Sequence, residues 1–559
     1  MKKTKKILLI GLDGVPLDII QRWAEGGYLP TFRRLIDTGA VGHLRSTIPP
    51  TSGPSWSSIV TGMNPGKTGI YDFLYRREGT YAFPPVNASL RGGTTMWRYL
   101  SDAGYRVGVL NIPMSYPVEQ INGFMISGWM TPYRATDYLY PPELAAELER
   151  EIGEYRIYPT ETFAENRRES FLKATYDLLE MVTRTALYLG TSQPWDVFMP
   201  VHFDTDRVLH QLWHYLDPDH PWRTEREDKE PVVRDYFRKV DESVARLLAL
   251  TDDETLVIVM SDHGMGRANN FIVLNNWLLD NGLLRLKRDP WTRLKGFMFR
   301  RGFTLRNVHQ LLDRVGLARQ AEYVAGYFVD HLLKLIFLSF LDVDWSRSKA
   351  YSFGRHLGSI YVNVKGREPQ GIVEPGAEYE AVRDEIERMA LDFCDPRTGR
   401  QLIGEALRRE EIYSGTYLDK APDLTLLPKE PSDIFFGLAD FGHRLTVDTV
   451  YRYSGMHRDH GMLIVNGPNV QPGSVVQGAS IYDIAPTVLH AMGLPVPSDM
   501  DGHILEGAFV EGYLAAFPVQ IADKGNYAGS PSEGAPTADY TAEGEKEIVE
   551  RLKGLGYLG

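Results

Sequence analysis

From Lys6 to Met260, short apolar runs alternate with stretches of helical periodicity, and no other pattern in the chain restricts its fold so tightly. Lys6–Leu12, Arg106–Leu110, Asp196–Val201 and Leu256–Met260 read as buried strands. Leu17–Glu25, Thr31–Thr38, Thr94–Gly104 and Glu169–Leu189 carry apolar residues at helical spacing. Parallel strands need a long crossover between them, and a crossover helix buries one face of the sheet. The alternation therefore predicts an α/β fold, a mostly parallel sheet sandwiched by helices. Ligands in such folds gather outside the carboxyl ends of the strands.

Several polar residues fall where that rule wants them. Asp13 follows the first run in ILLIGLDG, and the adjacent Asp262 and His263 follow the fourth in VIVMSDHGM. Asp206 and His210 stand four apart in DTDRVLHQLWH, which puts both on one helix face. Ser52 lies in PPTSGPSWSSIVTG, a helix start with Pro54 in its first turn. A hydroxyl there faces unpaired backbone N–H groups, a natural seat for phosphate. His457 precedes the strand-like MLIVNG in SGMHRDHG. Carboxylates, imidazoles and a hydroxyl are the donor set that holds two divalent metals and a nucleophile for in-line displacement at phosphorus.

Each residue also has an ordinary reading. Ser52 could be an N-cap, Asp13–Gly14 a simple turn, and Asp206 a capping acid beside a surface His210. Thr51 rivals Ser52 as the nucleophile and His460 rivals His457 as a ligand, whereas His202, Asp204 and His214 read as supporting or packing groups.

At 559 residues the chain exceeds one ordinary core. Its composition predicts the first part of an α/β core over 1–269, an inserted α+β cap over 270–417, and a resumed core over 418–518. A Gly-, Ser-, Pro- and Ala-rich linker over 519–540 follows, then a short helix within 541–559 with Ile548, Val549, Leu552 and Leu555 on one face. The net charge of −12 argues against general nucleic-acid binding. Cys394 is the single cysteine, so neither an intrachain disulfide nor a cysteine-built metal site is available. The apolar part of the N-terminus, Ile7–Leu12, is shorter than the roughly 7–15 residues of a signal h-region. The run from Leu332 to Leu341 contains Lys334 and falls short of the roughly 20 residues of a membrane span. A cytoplasmic, soluble protein is expected. Within the cap, residues 285–319 hold ten Lys and Arg against Asp289 and Asp313, interleaved with Leu294, Phe297, Met298, Phe299 and Phe303. That mixture suits peripheral contact with an anionic membrane, an entrance for a polyanionic substrate, or a solvated cap whose arginines pair with acids elsewhere.

GLDG, the hydroxyl-x-Pro segment running to VTGMNPGK, DTDRVLH, SDHGM and GMHRDHG occur in that order. In these motifs the chain resembles the alkaline phosphatase superfamily, specifically its type I phosphodiesterase / nucleotide pyrophosphatase branch, over roughly residues 5–515. The resemblance implies an alkaline phosphatase-like fold and a hydrolase of phosphate esters, diesters foremost, acting through a covalent phosphoseryl intermediate on Ser52. It implies two divalent metals, zinc or alternatively manganese, with Asp13, Ser52, Asp262 and His263 holding one and Asp206, His210 and His457 the other. Three positions depart from the family pattern. Ser55 stands where relatives carry an asparagine that helps bind the phosphoryl oxygen, Thr68 where many carry histidine, and Ser52 where threonine is common. Phosphomonoesterase and phosphotransferase activities are alternatives. A sulfatase fits less well, since Ser57 takes the place of its signature arginine and the modifiable cysteine is absent. A catalytically inert metal-binding protein is the alternative from another class.

Overall fold

The computed structural model describes residues 1, 3–159, 161, 163–223, 229–304, 307–308, 335–437, 441, 444–450, 453–523 and 540–554. Eight strands form the central sheet, in the order Ala40–Arg45, His460–Asn466, Thr255–Met260, Lys6–Leu12, Val197–His202, Val107–Ile112, Gly123–Ser127, Leu139–Tyr140. From Thr255–Met260 to Gly123–Ser127 every neighbouring pair is parallel. His460–Asn466 and Leu139–Tyr140 run antiparallel to their neighbours. The expected α/β sandwich is the observed architecture.

Alternating side chains supply both faces, because successive residues of a strand point to opposite sides. Leu8, Ile10, Leu12, Phe198 and Val259 enter one core with the helices Leu17–Glu25, Pro30–Thr38, Arg168–Ser192, Asp204–Leu216 and Glu230–Leu248. Ile7, Leu9, Val109, Ile258 and Met260 enter the other with Ser52–Thr61, Met96–Asp102 and Ile484–Ala491. With both faces covered, the central strands are buried along nearly their whole length, which is why they read as continuous apolar runs.

A second core lies over the carboxyl edge. Its antiparallel sheet orders Ala350–Ser352, Gly358–Val362, Leu424–Pro428 and Ile403–Arg408, with the helix Ala377–Leu391 packed on it. A further sheet orders Gly354–His356, Asp433–Gly437, Asn270–Val273 and Val447–Thr449. The sequence expectation that the central core resumes at residue 418 meets a correction here. Leu424–Pro428 pairs with cap strands, and the central sheet regains a strand only at His460–Asn466. An apolar run of this kind shows that a strand is buried but carries no information about which sheet receives it.

The expected C-terminal helix is seen over Ala542–Gly554, with Ile548 and Leu552 buried in the cap core. Leu555 lies outside the described residues, as do 524–539 of the expected linker. The start of that linker is ordered, since Ile521 and Ala522 pair with Val496 and Pro497. Arg306, Arg314 and Arg319 of the basic segment also lie outside the described residues. Among the described residues no helix is long and apolar enough to cross a membrane.

Candidate active site

Three strand ends deliver the acids. Gly11 pairs with both Val201 and Met260, so Lys6–Leu12, Val197–His202 and Thr255–Met260 finish nearly level at one edge. Asp13 follows the middle strand, and Gly14 turns the chain at φ 72°, a conformation that costs glycine nothing. Asp262 and His263 follow Thr255–Met260, while Asp206 and His210 sit within the helix Asp204–Leu216 that follows Val197–His202. His457 arrives from the far end of the chain on Gly455–Arg458, paired antiparallel with Gly264–Arg267 just past His263. The rings of His263 and His457 stack with centroids 3.8 Å apart.

The seven residues named from sequence come together, none more than 4% exposed. They form two triads, Asp13–Asp262–His263 and Asp206–His210–His457, each with its potential ligand atoms within 4.8 Å of one another. Ser52 joins the first: its Oγ donates to Asp13 Oδ1 at 3.3 Å and lies 3.2 Å from His263 Nε2. In the second, Asp206 faces His210 Nε2 at 3.4 Å and His457 Nε2 at 3.5 Å. Ser52 is the first helical residue, one past the N-cap Thr51, so its hydroxyl points along the helix start into the site rather than capping it.

The donor chemistry fits divalent cations. His210 Nδ1 donates to Gly455 O at 2.8 Å, which leaves the Nε2 lone pair facing His457 Nε2 at 2.9 Å. Ring nitrogens held by a backbone carbonyl on one side and aimed at a common point on the other are how proteins present imidazole to a metal. His263 follows the same plan, its Nδ1 3.0 Å from Gly264 O. Asp262 Oδ2 is buried and makes no hydrogen bond among the described residues. Burial first, and then the charges of Asp262 and Asp206, push Asp13 well above the usual carboxylate range. Burial and Asp206 do the same to Asp262. Burial would raise Asp206 as well, but His210 and His457 outweigh it and hold that carboxyl below its ordinary value. Burial and the neighbouring His263 lower His457 to about 3, so its imidazole is neutral. Carboxylates desolvated and crowded in this way gain most from a cation that supplies the missing positive charge.

Other candidates fall outside the triads. His460 is exposed and pairs with Arg45 on the edge of the sheet. His202 lies 3.1 Å from Ser243 Oγ, Asp204 accepts a hydrogen bond from Tyr236, and His214 packs against Tyr215 and Trp222. Thr51 lines the cavity in front of the site together with His210 and His457. Ser55 is turned into the core, its hydroxyl 2.9 Å from Ser46 Oγ and 3.0 Å from Thr47 Oγ1. It therefore does not stand in for the asparagine of related chains.

Sequence reasoning missed the supporting donors. Trp56 Nε1 donates to Asp13 Oδ2 at 2.7 Å, and Thr205 Oγ1 donates to the Asp13 carbonyl at 2.6 Å. Trp56 lies one helical turn beyond Ser52, a spacing that could have flagged it. His356 of the cap also reaches the site, its ring centroid 5.3 Å from that of His457, and no motif announces it.

A sequence model of the type I phosphodiesterase / nucleotide pyrophosphatase family matches residues 7–461. The chain belongs to that family. Similar solved structures include phosphonoacetate hydrolase from Sinorhizobium meliloti 1021 in complexes with phosphonoformate and with phosphonoacetate. Each shares the fold at a TM-score of 0.50 and 15% identity, covering 88% of this chain and 96% of the hydrolase. A curated relative, GPI ethanolamine phosphate transferase 3 of Schizosaccharomyces pombe, is 42% identical over 75 residues. That match spans 13% of this chain and 7% of the transferase.

Proposed function

We propose that this enzyme cleaves phosphodiesters in two displacements, with Ser52 as the nucleophile. The observation that carries the reading is Ser52 Oγ, held by Asp13 and His263 at the mouth of one triad and beside the other. Asp13, Ser52, Asp262 and His263 would hold one divalent cation, and Asp206, His210 and His457 a second, zinc by the mixed Asp/His donor set with manganese as the alternative. Two such cations polarise the phosphoryl group and stabilise the charge on the entering and leaving oxygens.

The chain's own residues fix the approach. Asp13 Oδ1 accepts from the Ser52 hydroxyl and orients it, Trp56 fixes Asp13, and the helix start at Ser52 favours the anionic group in front of it. The bond from Ser52 Oγ to phosphorus forms as the bond to the leaving alcohol breaks, and water then displaces Ser52. Two inversions retain configuration at phosphorus. Ser52→Ala is expected to abolish turnover of bis-p-nitrophenyl phosphate while metal content is kept; full activity in that variant would end the reading. Comparing p-nitrophenyl phosphate and p-nitrophenyl sulfate with the diester separates a monoesterase or a sulfatase. The match to a GPI ethanolamine phosphate transferase favours one second reading, in which an alcohol replaces water in the second displacement. Adding glycerol or ethanolamine to the assay and looking for the transferred ester tests it.

We infer further that a cytoplasmic form of this enzyme touches anionic lipid through its cap. The helix Pro290–Arg300 buries Thr292, Lys295, Gly296 and Phe299, so its other large apolar residues face outward. Trp291 is 55%, Phe297 49% and Leu294 44% exposed, with Arg293, Arg300 and Arg301 beside them. Outward aromatic and aliphatic side chains framed by arginines match an anionic interface. The protein is expected to sediment with phosphatidylserine vesicles and not with phosphatidylcholine alone; sedimentation with neither would remove the idea.

A further inference from the structure

The cavity in front of the metal-binding triads has a wall made by two elements that share no motif. Thr51 of the core and His356 of the cap line it together with Asp72, Phe73, His210 and His457. Thr51 is 3% and His356 6% exposed. Neither Thr51 Oγ1 nor His356 Nδ1 makes a hydrogen bond among the described residues. Buried polar atoms are almost always paired, and leaving one unpaired forfeits the hydration it had in water without replacement. Two such atoms on one small cavity, next to clustered metal-site ligands, are the mark of a place where a ligand completes the hydrogen bonding.

The backbone also fixes His356 in that wall. It has φ 81°, uncommon for a residue with a side chain, and it closes the strand Gly354–His356 opposite Phe435. Its nitrogens are not part of either triad, so its place in the cavity is not that of a ligand to the proposed cations. Ser55 on the neighbouring helix turn supplies no donor there, because its hydroxyl is committed to Ser46 and Thr47.

We propose that His356 and Thr51 form the phosphoryl-oxygen subsite of this enzyme, donating hydrogen bonds to the non-bridging oxygens of a tetrahedral phosphate ester. The inference rests on the phosphoesterase reading above and adds that the cap supplies part of substrate recognition. His356 and Thr51 bind and orient the phosphoryl group; Ser52 remains the group that reacts.

The test uses zinc-loaded protein and inorganic phosphate as the probe. His356→Gly removes the imidazole without opposing the left-handed backbone, and His356→Asn restores an N–H donor near the Nδ1 position in a residue that tolerates that backbone. Calorimetric titration should show phosphate binding weakened roughly 10- to 100-fold in His356→Gly, the loss of a hydrogen bond to a charged group, with most of it recovered in His356→Asn. Thr51→Val should weaken phosphate on the order of 10-fold, with two zinc equivalents bound in every variant. With bis-p-nitrophenyl phosphate, kcat/KM should fall by the same factors. Phosphate affinity within about two-fold of wild type in both His356→Gly and Thr51→Val would overturn the proposal, as would loss of zinc from His356→Gly. If no diester is turned over by wild type yet phosphate binding still depends on His356, the subsite stands and the reaction assigned to it falls.

Discussion

Gly14→Ala tests the coupling between backbone and metal site more sharply than removal of any ligand. Gly14 has φ 72°, a conformation that costs an L-residue roughly 1–2 kcal/mol. A Cβ there would also stand 2.6 Å from Asp206 Oδ1 and 3.0 Å from Asp206 Cα and Cβ. The carboxylate cannot swing aside without leaving His210 and His457, and the close approach to the Asp206 backbone forces the helix start to move with it. Overpacking of this kind adds about 1–3 kcal/mol. The sum, roughly 2–5 kcal/mol, divides between folding stability and the geometry of the Asp206 triad. Gly27→Ala supplies the control, because Gly27 has φ 77° and a Cβ there would meet nothing within 4 Å. That variant should carry the backbone cost alone and bind metal like wild type. Competition against a chromophoric chelator should show one of two zinc equivalents weakened at least about 10-fold in Gly14→Ala, and urea unfolding should show it less stable than Gly27→Ala. Two undisturbed zinc equivalents together with a stability loss no greater than that of the control would refute the reasoning.

Trp56→Phe removes the N–H that holds Asp13 and leaves a cavity where the buried indole stood; zinc affinity in the same chelator assay should drop about 10- to 100-fold, and thermal unfolding should also move to lower temperature. Asp423 accepts both arms of Arg367 at 2.8 and 2.6 Å as well as Tyr379 OH and Val362 N, so Asp423→Asn should cost about 3–5 kcal/mol in urea unfolding. Burial alone would raise this carboxyl, but Arg367 outweighs it and holds the folded value below the ordinary one. The associated stability is therefore complete above the unfolded value of about 3.9 and is lost as pH falls through the folded value. The wild-type urea midpoint should drop in that acid window, and Asp423→Asn should show a shallower drop. Lys295→Met leaves Asp342 buried without the ammonium 2.7 Å away; a loss of about 3 kcal/mol and faster proteolysis near Pro290–Arg300 are expected.

The parts of the fold legible in the sequence were those fixed by local periodicity. Lys6–Leu12 and Leu17–Glu25 have the same limits in sequence and structure, because a fully buried parallel strand and a one-sided helix leave opposite apolar patterns. Leu424–Pro428 shows the boundary of that logic, since burial periodicity names no partner strand. His356 shows another boundary. Its closeness to His457 comes from cap strands paired across Gly354–His356 and Asp433–Gly437, and no spacing in the chain encodes that proximity.

The acids were legible for a physical reason that reaches beyond motif matching. Parallel strands lie about 4.8 Å apart, so residues that leave three adjacent strands at one level emerge within reach of a common cation. Lys6–Leu12 lies between the other two strands, which makes Asp13 the shared centre, with Asp262 on one side and the Asp206 helix on the other. The imidazoles follow a different rule. His210 is one helical turn beyond Asp206, whereas His457 depends on the antiparallel pairing of Gly455–Arg458 with Gly264–Arg267, a segment far earlier in the chain. One triad is therefore assembled from segments near in sequence to a strand end, while the other closes only when the chain has returned across the sheet. It follows that the Asp206 triad is the one whose metal affinity should be most sensitive to cap and sheet-edge perturbation, whereas the contrast between Gly14→Ala and Trp56→Phe, each acting mainly on a different triad, measures whether the two sites weaken independently.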